Sequence, residues 1–386
     1  MRGTAGGANL LALRSHNTAL VLDLLRGAGG EGISRLELAE RTGLTPQAVS
    51  KITARLRGEG LAAVAGRRAS TGGKPRTVLR LVPGAGHALG VHLDRDELRA
   101  VLVDLDGAVV AERRAPLDLG AGAETVLEGV ARAAEELAAE GLAPADPRGA
   151  GARPAGGALA AAPTLLGLGA ALPGPLDHVR GVLHRVTGFP EWDGYPLRDA
   201  LERRLGVPVV VDKDTNAAAL GLAVGGGAGA GSFAYLHLGT GLGAGLVFGG
   251  GVHRGARTGA GEFGHQVVQL DGPPCTCGAR GCIETLCLAA VARGDLAEAA
   301  RVLGTGAANL AGLLDIDQVL LGGRTVAAAP EAFVHGVGAV LDTRARREGG
   351  HDGAVPVRLA PGGPRGVAEG AAQLLLAPLF GHGNDG

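Results

Sequence analysis

Aromatic residues are nearly missing from this 386-residue chain, at 2%, so its cores must be built from Leu, Val and Ala. Lysine occurs only at Lys51, Lys74 and Lys213, which leaves arginine to carry nearly all the positive charge. No apolar run reaches the roughly eighteen residues of a membrane span, and the opening MRGTAGGANLLALRSHN lacks the long apolar core of a signal peptide. The four cysteines (Cys275, Cys277, Cys282 and Cys287) fall within thirteen positions, too crowded to staple separate regions together. That clustering points to a cytoplasmic protein whose reduced thiols are available to a metal. Glycine is abundant, at 70 residues, but follows no strict repeat, which excludes a collagen-like fold. With 46% hydrophobic residues and a net charge of −1, the chain has ample core material and no whole-chain sign of disorder. Its length suits two or three domains.

Charge is divided unevenly. Residues 1–82 hold thirteen Arg or Lys and five Asp or Glu, a net of +8, so the remainder must carry −9. A basic head on an acidic body points to a polyanion as the head's partner. Within the head, Leu20, Val21, Leu24 and Leu25 stand at helical spacing in residues 17–29, and Gly27 with Gly29–Gly30 stops that helix. Ser34 and Glu37 form a capping box that opens a second helix ending near Gly43. Thr45-Pro46 then starts a third, with Thr at the cap and Pro at the first helical position. Val49, Ile52 and Leu56 share one face of it, which leaves Gln47, Ser50, Lys51 and Arg55 on the others. Two capped helices around a tight turn make a helix-turn-helix, whose second helix enters the major groove with its N-terminal residues leading. The following LAAVAGRRASTGGKPRTVLRLV reads as two strands around a basic loop, a wing. Thr45, Gln47, Ser50, Lys51 and Arg55 are therefore candidate DNA contacts on the helix. Arg67, Arg68, Lys74 and Arg76 are candidates for phosphates or the minor groove.

From Gly90 the segment GVHLDRDELRAVLVDLDGAVVAERRAPL reads as three antiparallel strands, similar to the opening of the actin-like ATPase fold. Sugar kinases of that fold carry an acidic residue and Gly-Gly-Thr at the first turn, where the glycines let the backbone approach phosphates. Here the turn is Leu93-Asp94-Arg95-Asp96, without glycine and with two anionic side chains, so the corner is poorly suited to ATP. Residues 124–141 form an amphipathic helix, and the Pro/Gly/Ala-rich residues 142–163 read as a surface insertion. A strand from Leu165 to Asp177 resumes the fold.

Four further segments carry the chemistry: GVPVVVDKDTNAAALG (206–221), LHLGTGLGAGLV (236–247), GAGEFGHQVV (259–268) and CTCGARGCIE (275–284). Together they resemble the ROK family (repressors, open reading frames and sugar kinases), along essentially the whole chain. Gly72-Gly73-Lys74-Pro75 stands where ROK repressors have Gly-Gly-Arg-Pro. The resemblance implies an α/β architecture: a winged helix-turn-helix over 1–82, then a two-lobed, actin-like (ribonuclease H-like) sugar-kinase fold over 83–386. It also implies a structural zinc on His265, Cys275, Cys277 and Cys282, four ligands suited to tetrahedral zinc. Cys287 reads as a small core residue. Sugar hydroxyls would meet Asp214, Asn216, Glu262, His265 and Glu284, and Asp214 matches the kinases' general base. Asp214 also reads as a helix N-cap over 215–219. Two departures alter the site. Lys213 replaces a kinase asparagine, which would favour an acidic or phosphorylated sugar, and VTGFPEWDG (186–194) lacks the asparagine often found before the tryptophan. Gly239-Thr240-Gly241 matches the second phosphate motif, and Leu321-Gly322-Gly323 the adenosine-side motif, so half of the nucleotide site survives.

The reading that follows is a sequence-specific DNA-binding regulator, a repressor of carbohydrate-related genes, with a sugar effector and no kinase catalysis. It would act as a homodimer or homotetramer on a pseudo-palindromic operator, away from membranes. The alternatives are an active ATP-dependent sugar kinase with an added head, and a regulator that answers to a protein partner.

Overall fold

The computed structural model describes residues 16–70, 73–142, 159, 162–186, 188–226, 229, 231–349 and 353–382. Almost all of the 142–163 insertion lies outside the described residues.

The head follows its capping signals. Helices α1 (His16–Gly27), α2 (Arg35–Thr42) and α3 (Pro46–Gly58) pack beside strands β1 (Ile33–Ser34), β2 (Ala62–Ser70) and β3 (Gly73–Leu81), in sheet order β1-β3-β2. The Ser34 hydroxyl accepts from the Glu37 N–H, and the Glu37 carboxylate accepts from the Ser34 N–H at 2.8 Å, closing the expected capping box. Gly43 ends α2 at a φ of 69°, a left-handed conformation that side chains with a Cβ rarely adopt.

The first lobe holds β4 (His87–Leu93), β5 (Glu97–Asp104), β6 (Val109–Pro116), α4 (Ala123–Gly141), β7 (Leu165–Leu172), β8 (Leu176–Asp177), β9 (Val182–Leu183), α5 (Leu197–Leu205) and β10 (Val209–Lys213). Its five-stranded sheet runs β10-β7-β4-β5-β6, antiparallel over β4–β6 and parallel where β7 joins β4 and β10. The single strand expected from Leu165 to Asp177 is two, because Pro173-Gly174-Pro175 interrupts it. A proline has no N–H to give the ladder. On one face the apolar stripe of α4 (Val126, Val130, Leu137) shares a buried core with Trp192 and Leu201.

The second lobe holds α6 (Asp214–Val224), β11 (Phe233–Leu238), β12 (Leu242–Phe248), β13 (Gly251–Val252), α7 (Ile283–Ala292), α8 (Leu296–Leu314), β14 (Gln318–Gly322), α9 (Arg324–Ala328), α10 (Pro330–Glu348), β15 (Val357–Leu359) and α11 (Gly366–Leu376). Its sheet order is β13-β12-β11-β14-β15. Helix α11 crosses back onto the first lobe. It lies so close to β4 and β7 that a Cβ at Gly90 would fall 2.0 Å from the Ala368 carbonyl oxygen, and one at Gly169 1.9 Å from that of Ala371. Glycine is required at both positions.

The head does not keep its core to itself. Val21, Leu25, Leu38, Val49, Leu56 and Leu79 belong to one apolar cluster with Val101 and Val103 of β5 and Leu376 and Phe380 at the C-terminal end. Arg26 of α1 lies 4.0 Å above the Phe380 ring. Among the described residues no helix is long and apolar enough to cross a membrane.

Candidate functional site

Helix α3 turns its apolar face inward and its polar face out. Val49 and Leu56 are fully buried, while Gln47, Ser50 and Lys51 are exposed along its first half. The Thr45 hydroxyl accepts from the Ala48 N–H at 3.2 Å, and Pro46 occupies the first helical position, so the N-terminus is capped as its sequence implies. Two expected DNA contacts, though exposed, also bond to other residues of the head. Arg55 donates to the Thr18 hydroxyl at 2.6 Å and so ties α3 to α1. Arg68 donates to Glu37 at 3.0 Å and to the Gly32 carbonyl at 3.2 Å, pinning the wing to α2. Arg67 and Arg76 are exposed on β2 and β3, and Arg68 stands opposite Arg76 across the ladder. Lys74 lies on β3, but its side chain is outside the described ones.

The glycine-free turn after β4 faces the Gly239–Gly241 turn of the second lobe. There Thr240 donates to Asp94 at 2.8 Å, and the Arg324 guanidinium reaches Asp94 at 3.1 Å and Asp96 at 2.9 Å. The corner where the kinases of this fold place phosphates is thus spanned by the chain's own side chains. Burial alone would push the Asp94 carboxyl up. His92, the Arg95 N–H, Thr240 and Arg324 outweigh it and hold the carboxyl below its ordinary range.

The effector candidates fall into two groups. Lys213 is only 3% exposed, and its ammonium donates to the Ala260 carbonyl at 2.5 Å and to Glu262 at 3.0 Å. Its charge is therefore already matched, which removes the basis for expecting an acidic sugar. Asn216 is 2% exposed and donates to Asp212, itself locked to Arg254 at 2.6 Å. Asn216 thus belongs to a buried network. Asp212 and Arg254 were missed in the sequence, because a lone acid ending a valine-rich strand carries no spacing signal. The other group sits at the start of α6, on the short turn Phe263–His265 and at the start of α7. Asp214 is half-buried at the start of α6 and accepts from the Thr215 N–H at 2.6 Å. It is the first helical residue; Lys213, in extended conformation, occupies the cap position expected for Asp214. Glu284 accepts from the Leu242 N–H at 2.8 Å and so steadies the Gly-rich turn. Glu262 and His265 flank the short turn Phe263–His265.

The ligand atoms of His265, Cys275, Cys277 and Cys282 all lie within 4.8 Å of one another. The Cys277 and Cys282 sulfurs are 3.7 Å apart, and Cys275 Sγ is 3.8 Å from His265 Nδ1. Zinc–sulfur bonds of about 2.3 Å in a tetrahedron set sulfurs about 3.8 Å apart, so the cluster fits a zinc ion. Such an ion would join the turn at His265 to the N-terminal end of α7, where Glu284 sits. Cys287 stands apart. It is fully buried, its thiol donates to the Ala299 carbonyl at 3.5 Å, and burial pushes its pKa up to about 12.

Comparison with known proteins agrees with this architecture. The ROK family profile matches residues 157–293. The DNA-binding transcriptional dual regulator NagC of Escherichia coli is 29% identical over 285 residues, 74% of this chain and 65% of NagC. The first curated relatives are likewise spanned over only 59% to 64% of their own length. Among solved structures, the ROK hexokinase of Thermus thermophilus is 30% identical, with a TM-score of 0.55 over 74% of this chain and 96% of that one. A ROK family transcriptional regulator, a homolog of the E. coli MLC protein, shares the fold over 97% of this chain and 98% of its own, at a TM-score of 0.72 and 20% identity. With a 30%-identical relative matched over 96% of its own length, this chain belongs to the ROK family.

Proposed function

We propose that the protein is a sequence-specific transcriptional regulator, a repressor of carbohydrate-related genes. Its DNA-binding domain would be 1–82 and its effector domain 83–386. The observation that carries this reading is α3: capped, buried on its apolar side and presenting Gln47, Ser50 and Lys51 to solvent on a ROK body. Exposed Arg67 and Arg76, with Lys74, would follow the backbone or minor groove beside it. Two such heads, brought together in a homodimer or homotetramer, would read a pseudo-palindromic operator.

The effector is a neutral sugar. Asp214, Glu262, His265 and Glu284 supply the carboxylates and imidazole that hydroxyls pair with, while Lys213 and Asn216 support them from the buried side. A structural zinc on His265, Cys275, Cys277 and Cys282 would hold the loop that presents His265 and Glu284. With Asp94, Thr240 and Arg324 joined across the phosphate corner, the protein would not turn over ATP. A sugar that prefers one lobe arrangement shifts the spacing of the heads only through that preference.

Fluorescence anisotropy on DNA from the gene's own upstream region, at fixed salt with non-specific competitor, tests the reading. The expected result is competitor-resistant binding that a pentose, hexose or N-acetylhexosamine weakens. Binding no better than to competitor on every candidate operator would refute it. The second reading is a kinase, because Asp214 matches the kinases' general base by sequence resemblance. ADP release with a hexose, abolished by Asp214→Asn, would establish that reading instead.

A further inference from the structure

The metal cluster of the second lobe divides into two pairs. Cys275 Sγ lies 3.8 Å from His265 Nδ1, and Cys277 Sγ lies 3.7 Å from Cys282 Sγ. Exposure divides it differently: Cys275 and Cys282 are buried, while Cys277 is exposed. A reagent in solution therefore meets the Cys277 sulfur first, with a second sulfur standing behind it. An accessible sulfur beside a resolving one is what reversible thiol oxidation requires.

Chain geometry favours the same pair. The Cys275 N–H donates to the Ala279 carbonyl at 2.8 Å and the Gly278 N–H to the Cys275 carbonyl at 3.0 Å, which sets Cys277 on a tight turn. Only Thr276 separates Cys275 from Cys277, so a bond between those two would close a very small ring. Cys282 lies five positions beyond Cys277, with Gly278 and Gly281 in left-handed conformation between them. The remaining cysteine, Cys287, is fully buried and donates to the Ala299 carbonyl, so it does not compete.

Cys282 also anchors more than the cluster. It holds the cap position of α7, and the Ile283 N–H beside it donates to the Gln266 carbonyl at 2.9 Å. Glu284, one residue further on, accepts from the Leu242 N–H. Drawing the Cys282 sulfur toward Cys277 therefore pulls on the start of α7 and on the turn that carries His265.

We propose that Cys277 and Cys282 form a redox switch, closed by a hydroperoxide, that releases the metal and unseats His265 and Glu284. The Cys277 thiolate attacks the peroxide, the O–O bond breaks, and the alkoxide that leaves takes a proton from water, giving an alcohol and a sulfenic acid. The Cys282 thiolate then attacks the sulfenic sulfur, the S–O bond breaks, and hydroxide leaves as the disulfide forms. Two electrons have passed from the sulfurs to the peroxide. His265 and Cys275 remain, two of the four ligands that tetrahedral zinc takes. A cellular dithiol would reset the pair. The proposal rests on the zinc reading of the cluster and not on DNA binding.

The test uses the full chain purified under reducing conditions, with its zinc content measured first. tert-Butyl hydroperoxide should release the zinc to a weak chromogenic chelator, and peptide mass spectrometry should find one disulfide per chain, joining Cys277 to Cys282. Dithiothreitol with added zinc should reverse both changes. Cys287→Ser should release zinc at the unaltered rate. Cys277→His keeps a nitrogen ligand that the peroxide does not oxidise, so it should hold its zinc about tenfold longer. If that variant fails to load, the disulfide map of the unaltered chain decides by itself. Reduced protein without zinc would overturn the metal reading and the switch with it. Zinc that stays under hydroperoxide, a disulfide to Cys275 or Cys287, or over-oxidation without any disulfide would each overturn the switch alone.

Discussion

A buried ammonium is tolerated only where the fold supplies its counter-charge, and Lys213 meets that condition through Glu262 and the Ala260 carbonyl. The same pairing limits what either residue can offer a ligand, so a lysine that looks like an anion receptor in the sequence is a structural tie in the fold. Lys51 is the reverse case. It is exposed, among the described residues no ion pair engages it, and it sits in the first half of α3. Lys51→Ala should weaken operator binding while leaving the thermal midpoint unchanged. The slope of log affinity against log salt should fall by about 0.9, the value for one phosphate contact. Arg55→Ala should behave differently, because it also removes the bond to Thr18 and so lowers stability as well as affinity.

At the scale of elements, a metal on the His265, Cys275, Cys277 and Cys282 cluster would tie the short turn Phe263–His265 to the start of α7 across residues 266–282, which contain little regular structure. The integrity of that segment should therefore depend on the metal rather than on its own packing. The purified protein should carry one zinc per chain, measured by atomic absorption. A strong chelator should remove it, lower the melting midpoint and open residues 266–282 to protease. Cys277→Ser should copy the effect of the chelator, whereas Cys287→Ser should leave the metal in place, because that thiol faces Ala299 in the core. Full occupancy in the Cys277→Ser protein would count against the cluster.

At the scale of the whole molecule, besides the packing of α11 on β4 and β7, two seams that join the lobes and the head differ in kind. One is apolar, where α1 and α3 share a core with β5 and the C-terminal end of the chain. The other is ionic, where Arg324 bridges to Asp94 and Asp96. The ionic seam is the weaker, since Arg324 is 44% exposed and water screens it. A double-mutant cycle with Arg324→Ala and Asp94→Asn should give a coupling of about 0.5–1 kcal/mol. Small-angle scattering should show the lobes of the Arg324→Ala protein further apart. Acid should act on the same seam. The Asp94 pKa is lower folded than unfolded, so its contribution is complete above the ordinary carboxylate range near pH 3.9 and is lost as the pH falls below it. An Asp94→Asn protein should lack that acid-dependent step.

The sequence alone determined whatever depends on neighbours along the chain. The caps at Ser34 and Thr45, the turn at Gly43, the amphipathic α4, the lack of glycine after β4 and the close spacing of three cysteines are all of that kind, and each is found where it was expected. Tertiary structure decided what depends on residues far apart. Arg55 and Arg68, still exposed, are bonded to Thr18 and Glu37, Lys213 is held by Glu262 and Asn216 by Asp212, while Asp94 finds Arg324 across 230 positions. Chain distance explains the divide. Backbone hydrogen bonds at a cap join residues within one turn, so their donors and acceptors can be read from spacing. The desolvation and pairing of a charge depend on which surfaces the finished fold presses together.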